Sequence, residues 1–245
     1  MSTNPQEGSR PTVVLVHGAF ADGSSWNDVI ERLQAEGVQV TAPANPLRGI
    51  SIDSAYIASL LEQIPGPVLA VGHSYAGAVI TNAATKANNV VGLVYVCAFA
   101  PNEGERLGDV SSTSKDSILN TGLMPLKYPN GEGQETAVEL AMDPEKFHDV
   151  FAADLPAEQT AVVAATQRPV AELAFSEPNG EPAWKNLPSW AVVATGDKAA
   201  GADVVRFMAE RAGATITEAD ASHVIMVSQP QVVADVILTA LAAVG

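Results

Sequence analysis

The sequence is short of cysteine, of cations and of long apolar runs, and each shortage removes a class of explanation. Cys97 is the one cysteine among 245 residues, so no internal disulfide can form. It lies in "LVYVCAFA" and reads as a buried strand thiol, not a reactive one. Thirteen Lys and Arg stand against 28 Asp and Glu, a formal net charge of −15. That sign repels nucleic-acid phosphates and anionic lipid surfaces, so neither nucleic acid nor membrane is expected as a partner. No apolar run approaches the about 18 residues that a membrane helix needs. The opening "MSTNPQEGSRP" has neither the basic nor the apolar region of a secretory signal, and the expected location is cytoplasmic.

What is present is enough for a large core: 47% of residues are hydrophobic and 17% charged, which excludes disorder by composition. After a polar tail over 1–11, short β-rich runs occur at 12–18, 38–43, 67–74, 90–99, 189–197 and 214–220. Between them lie helical patterns such as "SSWNDVIERLQAEG", "SIDSAYIASLLEQI", "YAGAVITNAATKA" and "GADVVRFMAERAG", with "SQPQVVADVILTALAAV" at the end. This alternation predicts an α/β domain: a mostly parallel sheet of about six strands with helices on both faces. Ser25 with Asp28, and Ser228 with Gln231, have the spacing of capping boxes, and Gly37 and Gly213 stand where helices should stop. Residues 101–187 break the rhythm with many turn formers and only short helical patches. They are expected to form an inserted helical lid over the sheet's carboxyl edge, splitting the core into 12–100 and 188–245.

The chemistry begins at "VLAVGHSYAGAVI", residues 68–80, where apolar β-formers run through a serine between glycines into a small-residue helix. Gly72-His73-Ser74-Tyr75-Ala76-Gly77 has the G-x-S-x-G spacing with alanine in the last place and the glycine one position late. A serine on a sharp strand-to-helix turn needs small neighbours, because the helix starts very close to the strand. The bland alternative is a serine that caps a helix. In "VLVHGAFADGSSW" a His-Gly pair ends the first strand and opens a loop able to give one backbone N–H to an oxyanion hole. The donors would be the amides of Tyr75 and Ala19, with Phe20 as the alternative to Ala19; His17 is expected to hold the loop.

Serine hydrolysis also needs a base and a carboxylate that orients it. His17 and His73 precede the serine and His148 lies in the excursion. That leaves His223, in "DASHVIMVS", as base, with Asp197 at the end of "VVATGD" as acid. Asp220 reads as a turn carboxylate, with Glu103 as another candidate acid. Together "VVLVHGAFADGSSW", "LAVGHSYAGAVI", "VVATGDK" and "ASHVIMVSQP" resemble the α/β-hydrolase superfamily, near its small bacterial hydrolases and the methyl-esterase and hydroxynitrile-lyase branch. The resemblance implies an α/β-hydrolase fold with Ser74 as nucleophile, His223 as general base and Asp197 as orienting acid, and it implies no metal and no organic cofactor.

The implied activity is hydrolysis of a small apolar carboxylic ester, lactone or thioester through an acyl-enzyme. Hydroxynitrile lyases of this branch carry threonine where Gly18 stands and lysine where Val224 stands, so cyanohydrin cleavage is the weaker reading. A ligand-binding receptor on the same scaffold is the other alternative. The expected partner is thus a small-molecule ester. Its pocket is expected from Phe20, Met124, Phe147, Phe151, Phe175, Trp184 and Met226, each of which could instead be plain packing.

Overall fold

Six of the apolar runs pair into one sheet in the computed structural model, which describes residues 10–131 and 136–245. Its strands are β1 (Thr12–Val16), β2 (Val40–Thr41), β3 (Val68–His73), β4 (Val90–Val96), β8 (Ser189–Ala194) and β9 (Thr215–Ala219). They lie in the order β2-β1-β3-β4-β8-β9, and every pairing is parallel. All residues of β3 and β8 are buried, because helices cover both faces of a parallel sheet and its strands read as unbroken apolar runs. The crossovers are α1 (Asn27–Ala35), α2 (Ile50–Glu62), α3 (Tyr75–Ala83) and α8 (Ala202–Arg211); α9 (Ile225–Ser228) and α10 (Pro230–Val244) close the chain. The first nine residues of the expected polar tail lie outside the described residues.

α1 and α8 stop just before Gly37 and Gly213, as expected. The two capping boxes do not form: Ser25 lies inside a 3-10 turn capped by Asp22, and α10 begins with Pro230 after Gln229. No described helix is long and apolar enough to cross a membrane.

The excursion between β4 and β8 corrects the helical expectation for 101–187. It holds α4 (Leu107–Ser111), α5 (Pro144–Phe151), α6 (Ala157–Thr166) and α7 (Leu173–Ser176). It also holds an antiparallel sheet of β5 (Leu123–Pro129), β6 (Thr136–Met142) and β7 (Val170–Ala171) in the order β5-β6-β7. Pro125 and Pro129 mask β5 in the sequence, since proline cannot donate to a ladder. An edge strand tolerates them because its outward N–H positions need no partner.

Parallel pairing has one consequence for function. The carboxyl ends of β3, β8 and β9 emerge on one edge of the sheet, so the residues just after them meet in space although they are far apart in sequence.

Candidate active site

Ser74 stands alone between β3 and α3, with φ 55° and ψ −124°. A non-glycine residue in this region is strained and persists only where its surroundings impose it. Here they do: the Ser74 N–H donates to Val96 O (3.1 Å), and the Ser74 carbonyl accepts from the N–H groups of Gly77 (3.0 Å) and Phe99 (3.2 Å). The glycines on either side answer to close approach. A Cβ on Gly72 would stand 2.6 Å from the Ala76 carbonyl oxygen, and one on Gly77 would run into the carbonyl of Phe99. The glycine one place late therefore serves the packing of α3 against the chain leaving β4, while the buried Ala76 fits where a glycine more often stands.

His223 lies in the loop between β9 and α9, and Asp197 in the turn after β8. The His223 Nδ1–H donates to Asp197 Oδ2 at 2.8 Å, with both side chains 1% exposed. Asp197 Oδ1 accepts the N–H groups of Ala199 (2.9 Å) and Ala200 (3.0 Å). With Nδ1 bearing the proton, Nε2 keeps its lone pair. Two further ties hold the loop: His73 Nε2–H donates to the His223 carbonyl (2.9 Å), and Asp154 takes both the N–H (2.9 Å) and the hydroxyl of Ser222. The Phe151 ring lies 4.8 Å from that of His223. Ser74 and His223 line the same cavity, and the Ser74 hydroxyl makes no hydrogen bond among the described residues.

Cys97 completes a buried cluster with Asp197 and His223, their donor atoms within 4.8 Å of one another. Burial, then the nearby Asp197 charge, raise the thiol's pKa well above its ordinary value, so it stays protonated and unreactive, as the sequence suggests. A metal ion here would have to ionise that thiol and displace the Asp197–His223 bond; the donor set does not suit one.

Across the cavity, the Phe20 N–H donates to the Arg168 carbonyl at 3.0 Å, while the N–H groups of Ala19 and Tyr75 make no hydrogen bond among the described residues. Of the two loop amides, then, it is Ala19 that is free. His17 ties the loop down: Nδ1–H donates to the Gly18 carbonyl (2.9 Å) and Nε2 accepts the Asn45 N–H (2.9 Å). Burial lowers its pKa and keeps the ring neutral.

The cavity is small, about 10 Å³, and almost wholly apolar in its walls. Of the pocket residues expected from sequence, Phe20, Phe151 and Phe175 reach it. The other four do not. Phe147 backs Phe151 at 5.0 Å between ring centroids, Trp184 Nε1–H donates to the Pro101 carbonyl, Met226 is buried elsewhere and Met124 sits on β5. Phe99, Leu119, Ala199 and Ala200 complete the wall and were missed. The two alanines were within reach of sequence reasoning, because only Lys198 separates them from Asp197. Larger grooves, of about 610 Å³ beside β2 and α2 and about 450 Å³ beside Tyr128 and Leu173, contain neither Ser74 nor His223.

A carbendazim hydrolyzing esterase of Nocardioides sp. (strain SG-4G) is 33% identical over 107 residues, which cover 38% of this chain and 44% of that protein. The match thus spans less than half of the relative's length. The crystal structure of polyneuridine aldehyde esterase superposes with a TM-score of 0.78 at 20% identity, covering 95% of this chain and 99% of that one. A methylesterase protein, MES16, from Arabidopsis gives 0.77 at 21% identity over 95% and 99%. These structural likenesses establish the fold. The model of the alpha/beta hydrolase family matches residues 13–236, and the chain belongs to that family.

Proposed function

We propose that the chain is a serine hydrolase that cleaves a small, apolar carboxylic ester, lactone or thioester through an acyl-enzyme. The observation that carries this is the buried 2.8 Å pair of His223 and Asp197 opening onto the same cavity as a strained Ser74. His223 Nε2 takes the Ser74 proton as Oγ adds to the ester carbonyl carbon. The resulting oxyanion is met by the free N–H groups of Ala19 and Tyr75. Asp197 stabilises the imidazolium, which returns its proton to the departing alcohol or thiol as the tetrahedral intermediate collapses. Water then enters with His223 again as base and releases the acid. Every proton and electron pair is accounted for by the chain and water, so the reaction calls for no metal and no organic cofactor.

Phenylalanines at 20, 99, 151 and 175, and the absence of any Asp, Glu, Lys or Arg side chain from the wall among the described residues, support a neutral, apolar substrate. A cavity of about 10 Å³ has no room for an ester, so residues 101–187, which supply Leu119, Phe151 and Phe175, act as a lid that opens to admit it. The esterase names among the relatives agree with this reading. The test is a panel of p-nitrophenyl esters together with a fluorophosphonate probe. Turnover that Ser74→Ala abolishes, with one adduct on Ser74 by mass spectrometry, is the expected result. A folded protein that neither turns over esters nor takes the probe is not a serine hydrolase, and tight binding of an ester without turnover would favour a receptor.

A further inference from the structure

Asp53 is a carboxylate that the proposed reaction does not use, yet it is fully buried in α2. Burial, the largest influence, pushes its pKa above the ordinary carboxylate value, and nearby hydrogen bonds only partly offset this. No guanidinium forms an ion pair with it among the described residues, and the Arg48 charge is the smallest of the influences that offset burial. Arg48, the nearest cation in sequence, instead turns its guanidinium to Glu139 (2.8 Å) and over the Tyr128 ring (4.5 Å). The carboxylate accepts the backbone N–H of Arg48 (3.0 and 3.2 Å) and the hydroxyl of Tyr75 (2.8 Å to Oδ2). A buried acid without an ion-pair partner costs stability, and an apolar residue could fill the same space. Such a residue would lose the bonds to the Arg48 N–H and to the Tyr75 hydroxyl, and the second of these leads to the active site.

Tyr75 is the first residue of α3, and its N–H is one of the two free amides beside Ser74. The segment 45–49 reaches the other one as well. Asn45 donates its N–H to His17 Nε2 (2.9 Å) and its side-chain amide to the His17 carbonyl (3.1 Å), and His17 leads directly into Gly18 and Ala19. The same segment is pinned from outside by Arg168 Nη1 on the Asn45 carbonyl (3.0 Å) and by the Ala171 N–H on the Leu47 carbonyl (2.9 Å). One short loop is therefore bonded toward both amides: through His17 to Ala19, and through Arg48 N–H, Asp53 and the Tyr75 hydroxyl to Tyr75.

We propose that the Tyr75–Asp53 hydrogen bond is a positioning device for the oxyanion hole, which sets the Tyr75 N–H in register with that of Ala19 by way of segment 45–49. The proposal rests on the serine-hydrolase reading above. Neither side chain is a catalytic residue in this scheme: the Tyr75 hydroxyl and Asp53 act through the backbone. A donor that serves only the oxyanion stabilises the transition state more than the bound ester, so its misplacement lowers kcat and leaves KM alone.

The experiment measures kcat and KM for p-nitrophenyl butyrate, per active site titrated, and the rate of fluorophosphonate labelling, on the full chain. Tyr75→Phe is expected to lower kcat and the labelling rate together by about tenfold with KM nearly unchanged, since one oxyanion donor is worth about 10²–10³ when removed outright. Asp53→Ala should match it. Asp53→Asn, which keeps an acceptor for the Tyr75 hydroxyl, should recover part of the loss, and the Tyr75→Phe/Asp53→Ala double variant should be no slower than the slower single. Should Tyr75→Phe not fold, the comparison of Asp53→Asn with Asp53→Ala carries the test. Folded variants with wild-type kcat, or losses that appear in KM alone, overturn the proposal while wild-type labelling at Ser74 keeps the hydrolase reading. Absence of wild-type labelling overturns both.

Discussion

Replacing Asp197 with asparagine separates the geometry of the acid from its charge and hydrogen-bonding sense. The carboxylate serves three donors at once: Oδ1 accepts the Ala199 and Ala200 N–H groups at 2.9 and 3.0 Å, and Oδ2 accepts His223 Nδ1–H at 2.8 Å. An amide has one oxygen. Kept on Ala199 and Ala200, it leaves its NH₂ facing His223 Nδ1, which must then become an acceptor and send the ring proton to Nε2. Nε2–H cannot take the Ser74 proton. Turned the other way, the amide opposes its NH₂ to two backbone donors in a site that is 1% exposed, which costs more. The first arrangement should win, the fold should survive and the imidazole should sit in the wrong tautomer. The expected loss in kcat is about 10³–10⁴-fold, or about 4–5.5 kcal/mol of barrier. Steady-state hydrolysis of p-nitrophenyl butyrate, with circular dichroism on the same sample, measures it. A folded Asp197→Asn protein within about tenfold of wild type, well short of that loss, would refute the assignment and move the acid to Asp220 or Glu103.

Gly77→Ala should destabilise the fold or prevent it, since the new Cβ meets the Phe99 carbonyl and neither backbone segment can yield; thermal melting within a degree or so of wild type would contradict this. Asp154→Ala leaves the N–H of the buried Ser222 without its acceptor and its hydroxyl with only the distant Phe151 carbonyl, an expected cost of about 1–3 kcal/mol in denaturant unfolding, with lower kcat as the loop before His223 loosens. Burial depresses the pKa of both His17 and His73 below 6.5, so below that pH the unfolded chain binds more protons than the native one and stability falls as pH falls. Each ring adds up to about 1.4 kcal/mol per pH unit to that slope, and unfolding midpoints that hold steady or rise from pH 6.5 to 5 would count against it.

The alternation of β-rich and helical runs determined the α/β class, because a strand buried on both faces and a crossover helix leave different local patterns. The sharp turn at Ser74 was legible for a similar reason: small residues crowd where a strand and a helix must nearly touch, and Gly72 is set by that contact, while Gly77 is set by the chain leaving β4. Asp197 and His223 could be singled out as candidates from chain order, since each lies in the turn or loop after a strand whose carboxyl end the parallel sheet brings to the same edge. Sequence did not disclose β5 and β6, because Pro125 and Pro129 are tolerated only on an edge strand and edge position is a property of the assembled sheet. Nor could it sort Phe151 from Phe147, one turn apart on α5, since the cavity side of a helix depends on what the helix packs against. The choice between the Ala19 and Phe20 amides was made by the carbonyl of Arg168, and the anchoring of Tyr75 by Asp53. These are long-range contacts without local periodicity, and only the folded chain, by closing those distances, decides which donor is taken and which is left free.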